Sequence, residues 1–171
     1  MLAELVIRDA APIDWPRIRL INDAAFGGPA ESALVDRLRG DGLVVVELVA
    51  VGDGTPVGHL VLSKLAVEVD GRPVEALALA PMAVMPNHQR RGIGTALVRG
   101  GLKSAAARGW QAVIVLGHRN YYPRFGFSAA MARHLSAPYA GPSFMAIELV
   151  AGVLAGRAGS VTYPGAFAEV D

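Results

Sequence analysis

Val84-Met85-Pro86-Asn87-His88-Gln89-Arg90-Arg91-Gly92-Ile93-Gly94-Thr95 joins an apolar, strand-like run to an amphipathic helix through a turn that carries two arginines and two glycines. A helix start leaves its first backbone N–H groups without partners, at the positive end of the helix dipole. Such a turn is a ready-made anion site, and phosphate suits it best. Outward from this point, the spacing predicts a long helix over residues 92–108, with Ile93, Ala96, Leu97, Gly101 and Ala105 on one face. Arg99, Lys103 and Arg108 lie toward its end, and Gly109 suits the residue that closes it. Gly100-Gly101 inside the helix costs about 1 kcal/mol per glycine relative to alanine, which points to close packing on a sheet, with tolerated slack as the alternative.

Upstream, the hydrophobic period changes from helical to strand-like. The runs 43–51, 57–69 and 74–85 are rich in Val, Leu and Ala, and Gly52-Asp53-Gly54 and Asp70-Gly71 separate them. Both separators are hairpin signals, so a three-strand antiparallel meander is expected. Pro81 cannot donate to a ladder and marks a bulge or a place where the last strand parts from its neighbour. Before the meander, residues 4–8 alternate as a first strand. Asp14 caps a helix with Pro16 in its first turn that runs toward Ala25, and Gly27-Gly28-Pro29 breaks it. A second helix follows, with Ala33, Leu34 and Leu38 buried and Gly40 at its end. Downstream come a buried strand over 111–116, a short helix over 120–125 and a strand over 144–150. A loop with room for one short strand completes the chain. Trp15 and Trp110 are expected to anchor the core. The result is one α+β domain over residues 1–171.

Composition narrows the function. The 171 residues are 53% hydrophobic and 18% charged, which is globular, and the net charge of +1 gives no footprint for nucleic acid. There is no cysteine, which excludes disulfides, thiolate metal sites and cysteine acyl-enzymes. That fits a reducing, cytoplasmic location. No signal peptide, membrane span or metal site is expected, because the apolar runs are short and His59, His88, His118 and His134 are scattered.

Three glycine-rich motifs compete for the phosphate turn. A P-loop needs Lys and Ser or Thr after its last glycine, and Gly94 is followed by Thr95-Ala96. A dinucleotide fingerprint needs a third glycine, and Leu97 stands there. The remaining pattern is Gln89-x-x-Gly92-x-Gly94 after a strand. It resembles the coenzyme A pyrophosphate loop of the GNAT N-acetyltransferase superfamily. Pro81-Met82-Ala83-Val84-Met85-Pro86 is similar to that family's splayed fourth strand. Tyr122-Pro123-Arg124-Phe125-Gly126-Phe127 is similar to its Tyr-x-x-x-Gly-Phe segment. Residues 31–42, 79–94 and 115–127, together with Tyr163-Pro164, resemble one uncharacterised bacterial branch of the family.

The resemblance implies a mixed, mostly antiparallel sheet with a splayed fourth strand and about four flanking helices. It implies an enzyme that moves acetyl from acetyl-CoA to a primary amine, small molecule or peptide, by direct attack in a ternary complex. The amides of Arg90, Arg91, Gly92, Ile93, Gly94 and Thr95, with Gln89, would hold the pyrophosphate. Met82, Ala83 and Val84 would meet the pantetheine, with the Val84 N–H beside the thioester oxygen. Asn120 is a pantetheine contact or a helix cap. Tyr122 is the proton donor to the leaving sulfur, against a packing role shared with Tyr121. Glu31 flanks the acceptor side and Glu75 reads as a solvated strand residue, while His88 and Arg124 read as surface groups. His118 could face the cleft. The first two helices and residues 137–143 should shape the acceptor pocket. The C-terminal Gly-, Ala- and Val-rich segment offers a face for a homodimer. The competing readings are a non-catalytic acyl-CoA sensor and a nucleotide-binding enzyme.

Overall fold

The computed structural model describes residues 4–169. Its regular elements begin with Leu5–Asp9 (β1), Trp15–Phe26 (α1), Ala30–Gly40 (α2), Val44–Gly52 (β2), Thr55–Val69 (β3) and Arg72–Val84 (β4). Ile93–Ala107 (α3), Ala112–Leu116 (β5), Leu135–Ser136 (β6), Phe144–Glu148 (β7) and Gly159–Thr162 (β8) follow. The meander forms on the predicted turns. Asp53-Gly54 and Asp70-Gly71 all have positive φ (52°, 82°, 50° and 79°), as a two-residue hairpin turn of matching twist requires.

Burial along β3 shows where the layers lie. Lys64, Ala66 and Glu68 are exposed while Leu65, Val67 and Val69 are buried, so this half has one face in water. From Val57 to Ser63 every residue is buried, because helices cover both faces. α3 packs on one side, and α1 crosses β3 and β4 on the other. Two apolar clusters result. One contains Leu60, Leu62, Leu97 and Val98, and the other contains Val35, Leu38, Val61 and Ile114.

Among the described residues the sheet has eight strands, with the path β1-β2-β3-β4-β5-β7. β4 pairs along one edge of β3. β2 takes the other edge as far as Ser63, and β8 continues it from Ala66 to Val69. Asp70 at the hairpin tip accepts the N–H groups of Arg157 and Ala158, each at 3.1 Å, and Arg72 donates to Val153 O and Ala155 O. These bonds tie the C-terminal segment to the meander.

Several sequence expectations need correction. Ala33 is exposed, since it falls about 100° from Leu34 around the helix and farther still from Leu38; Ser32 and Val35 are buried instead. In α3 the half-buried Ala96 yields to Val98. Trp15 is 43% exposed and lies under the Arg39 guanidinium, 4.5 Å from its ring centroid, rather than in the core. Trp110 is half-buried. The helix expected over 120–125 contracts to a 3₁₀ turn, Tyr122–Phe125. The glycine pair of α3 behaves as expected. A Cβ on Gly101 would stand 3.0 Å from Leu60 Cδ2, and one on Gly100 would stand 3.3 Å from Ile7 Cγ2.

A polar chain without any sequence signature laces α1, α2, β2 and β3. Asn22 Nδ2 lies 3.0 Å from His59 Nδ1, His59 Nε2 lies 2.7 Å from Glu47 Oε2, and Arg39 grips both Glu47 oxygens at 3.1 and 2.5 Å. His59 is fully buried, and that burial lowers its pKa, so the ring stays neutral. Burial alone would raise the Glu47 pKa, but the hydrogen bonds from His59 and Arg39 outweigh it and hold the carboxylate ionised. The neutral ring therefore donates from Nε2 to Glu47 and accepts at Nδ1 from Asn22.

Candidate active site

The site begins where β4 loses a neighbour. β4 runs parallel to β5 only at Ala76, Leu77 and Ala78, opposite Ala112, Val113 and Ile114. Beyond Ala78, β5 stays with β7 while β4 stays with β3. At the parting, β4 carries one extra residue. Leu62 faces Leu79 and Leu60 faces Met82, so the stretch containing Ala80 and Pro81 bulges. Both roles expected of Pro81 are met in one place.

The parted edge presents backbone groups. The Met85 N–H donates to Val57 O across the β3 side at 2.9 Å. Successive N–H groups of a strand point to opposite edges, so the Val84 and Met82 N–H groups point into the gap. The Val84 carbonyl shares that edge and accepts Gln89 Nε2 at 3.0 Å. The glutamine of the phosphate turn is thus a strut between loop and strand.

From that strut the chain turns into α3. Arg90 (φ 64°) and Gly92 (φ 81°) are both left-handed, and Gly92 is the N-cap with no side-chain cap of its own. The first helix amide with a backbone acceptor is that of Ala96, bonded to Gly92 O at 3.0 Å. The preceding amides therefore converge on open space at the positive helix end, which suits an anion. Gly94 is small for another reason. A Cβ there would stand 3.0 Å from Tyr121 Oη and 3.3 Å from Met82 Cε. Tyr121 Oη also lies 3.2 Å from Thr95 Oγ1.

A cleft of about 540 Å³ occupies this corner. Met82, Ala83 and Val84 line it from β4, and Gln89, Arg90 and Gly92 from the loop. Ile93, Gly94 and Thr95 line it from α3. A second cavity of about 390 Å³ lies beyond, on the far side of the gap, and Tyr122 lines it. Phe26, Met82 and Tyr121 line both spaces and so stand where they meet. Tyr122 is 7% exposed, edge-on to Tyr121 and Phe127 at 5.1 and 5.7 Å between ring centroids. Burial, then the neighbouring Tyr121, push its pKa up to about 12, so the hydroxyl keeps its proton at neutral pH.

Comparison with known proteins places this geometry. The model of the acetyltransferase (GNAT) domain matches residues 6–130. The chain belongs to the GNAT acetyltransferase family. As a GNAT protein it is an acyltransferase. It is 35% identical to the uncharacterised N-acetyltransferase YhbS of Escherichia coli K12 over 162 residues, covering 93% of this chain and 96% of that one. It is 36% identical to the uncharacterised N-acetyltransferase YjhQ of the same organism over 129 residues, covering 74% and 71%. The crystal structure of Escherichia coli YhbS in complex with CoA superimposes with a TM-score of 0.88 at 33% identity, covering 100% of this chain and 95% of that one. A Brucella melitensis GNAT acetyltransferase in complex with acetyl-CoA gives 0.79 at 31% identity, covering 96% and 98%.

Within this GNAT fold, nine of the residues expected to hold a cofactor share one cleft, whereas Arg91 and Asn120 do not line it. Asn120 is exposed and borders a separate shallow concavity with His118 and Ser143, and the 3₁₀ turn has no side-chain cap. Glu75 is exposed, as expected. Arg124 and Tyr121 exceed the surface and packing roles expected of them. Both line the cleft, with Arg124 stacked 4.4 Å over the Tyr121 ring and donating to Tyr121 O at 2.9 Å. His88 borders the cleft too, and His118 borders the cavity beyond. Tyr139 from the 137–143 loop lines that cavity, as predicted for its shape. Tyr163 and Phe167 complete it from the C-terminal segment.

Proposed function

We propose that the protein binds acetyl-CoA in the cleft at the start of α3 and passes the acetyl group directly to a primary amine entering from the cavity beyond. The observation that carries this reading is the gap after Ala78, which opens the β4 edge between an anion-suited helix start and an apolar cavity. The groups present suit the ligand. The amides from Gly92 to Thr95 and the guanidinium groups of Arg90 and Arg124 match phosphates, and the Met82 and Val84 edge matches the peptide-like pantetheine arm. A CoA complex and an acetyl-CoA complex of two relatives at 33% and 31% identity support the same kind of ligand.

The reaction needs three services from the chain. The amine sheds a proton to water and attacks the thioester carbon, forming the C–N bond. The Val84 N–H steadies the negative charge that develops on the carbonyl oxygen. As the C–S bond breaks, Tyr122 gives its proton to the sulfur, and it recovers one from solvent while the new amide nitrogen loses its extra proton. Atoms and charges balance to an N-acetyl amine and free CoA. Glu75 takes no part, since it borders neither space.

A CoA-release assay on Tyr122→Phe tests this directly. The turnover number should fall about 10²–10⁴-fold with the KM for acetyl-CoA unchanged. Unchanged turnover removes the tyrosine from the reaction. Calorimetric binding of acetyl-CoA with no release to any amine would instead favour a sensing module.

A further inference from the structure

The acceptor cavity has a chemistry of its own. Its volume of about 390 Å³ suits a small organic molecule. Leu34, Leu79 and Ile114 supply aliphatic surface. Tyr139, Tyr163 and Phe167 form an aromatic wall, edge-on to one another with centroids 5.0 and 5.2 Å apart. Burial, then the neighbouring Tyr139, raise the pKa of Tyr163, so its hydroxyl carries no charge at neutral pH. Glu31, half-buried in the first turn of α2, is the one carboxylate among the described residues of the lining, and neither Lys nor Arg is present there.

Each feature selects. A lone carboxylate beside aromatic faces attracts an ammonium, through charge and through the ring quadrupoles. A carboxylate on the incoming molecule would meet neither Lys nor Arg in the lining and would share the cavity with Glu31. Strongly hydrated acceptors would lose water with little to replace it, since the wall offers mainly hydrocarbon.

Resting on the acetyl-transfer reading, we infer that the natural acceptor is an apolar or aromatic primary amine without a carboxylate, oriented by Glu31 and seated against Tyr139, Tyr163 and Phe167. The ammonium docks at Glu31, gives one proton to water, and the neutral nitrogen then faces the gap at Met82 and Tyr121.

Three probe amines test this with saturating acetyl-CoA: 2-phenylethylamine, phenylalanine, which adds a carboxylate to the same skeleton, and ethanolamine, which lacks the apolar body. With each rate corrected for its fraction of neutral amine, 2-phenylethylamine should exceed both others in kcat/KM by about tenfold or more. Glu31→Gln should raise the KM for 2-phenylethylamine about tenfold and leave the KM for acetyl-CoA alone. Tyr163→Leu, which keeps the cavity apolar, should weaken that selectivity less than Glu31→Gln does. Equal turnover of phenylalanine or ethanolamine, or a Glu31→Gln enzyme with unchanged KM, overturns the acceptor class while leaving acetyl transfer standing. No CoA release with any of the three overturns the acceptor class, and acetyl transfer itself falls only if no amine of any class releases CoA.

Discussion

The two halves of β4 share a Val, Leu and Ala frame and lead different lives. Residues 76–78 pair with both β3 and β5, whereas residues 79–84 have β3 alone. Both carry Val, Leu and Ala with one proline each; the first half adds Arg72 and Glu75, the second Met82. The difference lies in the neighbour: β5 turns away to follow β7, and the bulge around Pro81 swings β4 the other way. His59 of the polar chain stands opposite Ala83 in the ladder, while its side chain bonds Asn22 and Glu47.

Proline substitution in each half should give opposite failures. Leu77 is fully buried and in register with both Lys64 and Val113. Leu77→Pro removes a ladder bond and core volume together, at about 3 kcal/mol or more, and should abolish the cooperative melting transition. Val84→Pro removes an N–H that points into the gap. Its melting temperature should stay within a few degrees of wild type while the turnover number falls about 10²–10³-fold. A Val84→Pro protein that is folded and fully active would show that this edge does nothing in the reaction.

The next substitution acts at the mouth of the parting. Gly117 directly follows β5, and a Cβ there would stand 2.4 Å from Tyr122 Cε2. Gly117→Ala must displace the ring. A misplacement of about 1 Å can cost about 10²-fold, so turnover should approach that of Tyr122→Phe. A double variant should then be no worse than either single one.

The lacing is tested by stability and pH. Glu47→Ala strands the buried His59 donor and the Arg39 guanidinium, and should cost about 2–3 kcal/mol in denaturant melts. His59 has a lowered pKa, so the folded state resists a proton that the unfolded chain accepts. Stability is therefore complete above about pH 6.5 and declines as the pH drops below it. Glu47, also lowered, adds a further loss below about pH 4.3, where the unfolded carboxylate takes a proton first. His59→Gln should flatten the melting-temperature slope between pH 6.5 and pH 5 and leave the slope at lower pH.

Legibility followed the range of the interaction. The meander, its Asp-Gly turns, the phosphate turn and Pro81 were readable because each depends on a few adjacent residues with special φ or a missing donor. The splay and the cofactor reading came from resemblance rather than periodicity. Glu47 and His59 look like ordinary strand residues until four elements bring them together with Asn22 and Arg39. Tyr163 and Phe167 sit in a glycine-rich tail whose short strand forms only because β3 outruns β2, so nothing local announced that they close a cavity. Trp15 misled because a large aromatic at a helix start was assigned to the core, when a stacked arginine covers it at the surface.

The smallest effect expected is at Arg90, at the foot of the unshared half. Its φ of 64° is costly for a residue with a Cβ, about 1 kcal/mol or somewhat more. Arg90→Gly removes that strain but gives the unfolded chain more freedom, so the two terms nearly cancel and the melting temperature should move by only a degree or two. The same change removes a cleft-lining guanidinium. An exposed charge contact contributes about 0.5–1 kcal/mol, so the KM for acetyl-CoA should rise about two- to fivefold, more at low salt than at high. Arg91→Ala is the matched control, since Arg91 carries the same charge one residue on and does not line the cleft. If both variants raised KM equally, the effect would be long-range attraction by net charge, and the inward turn at residue 90 would have no part in holding the ligand.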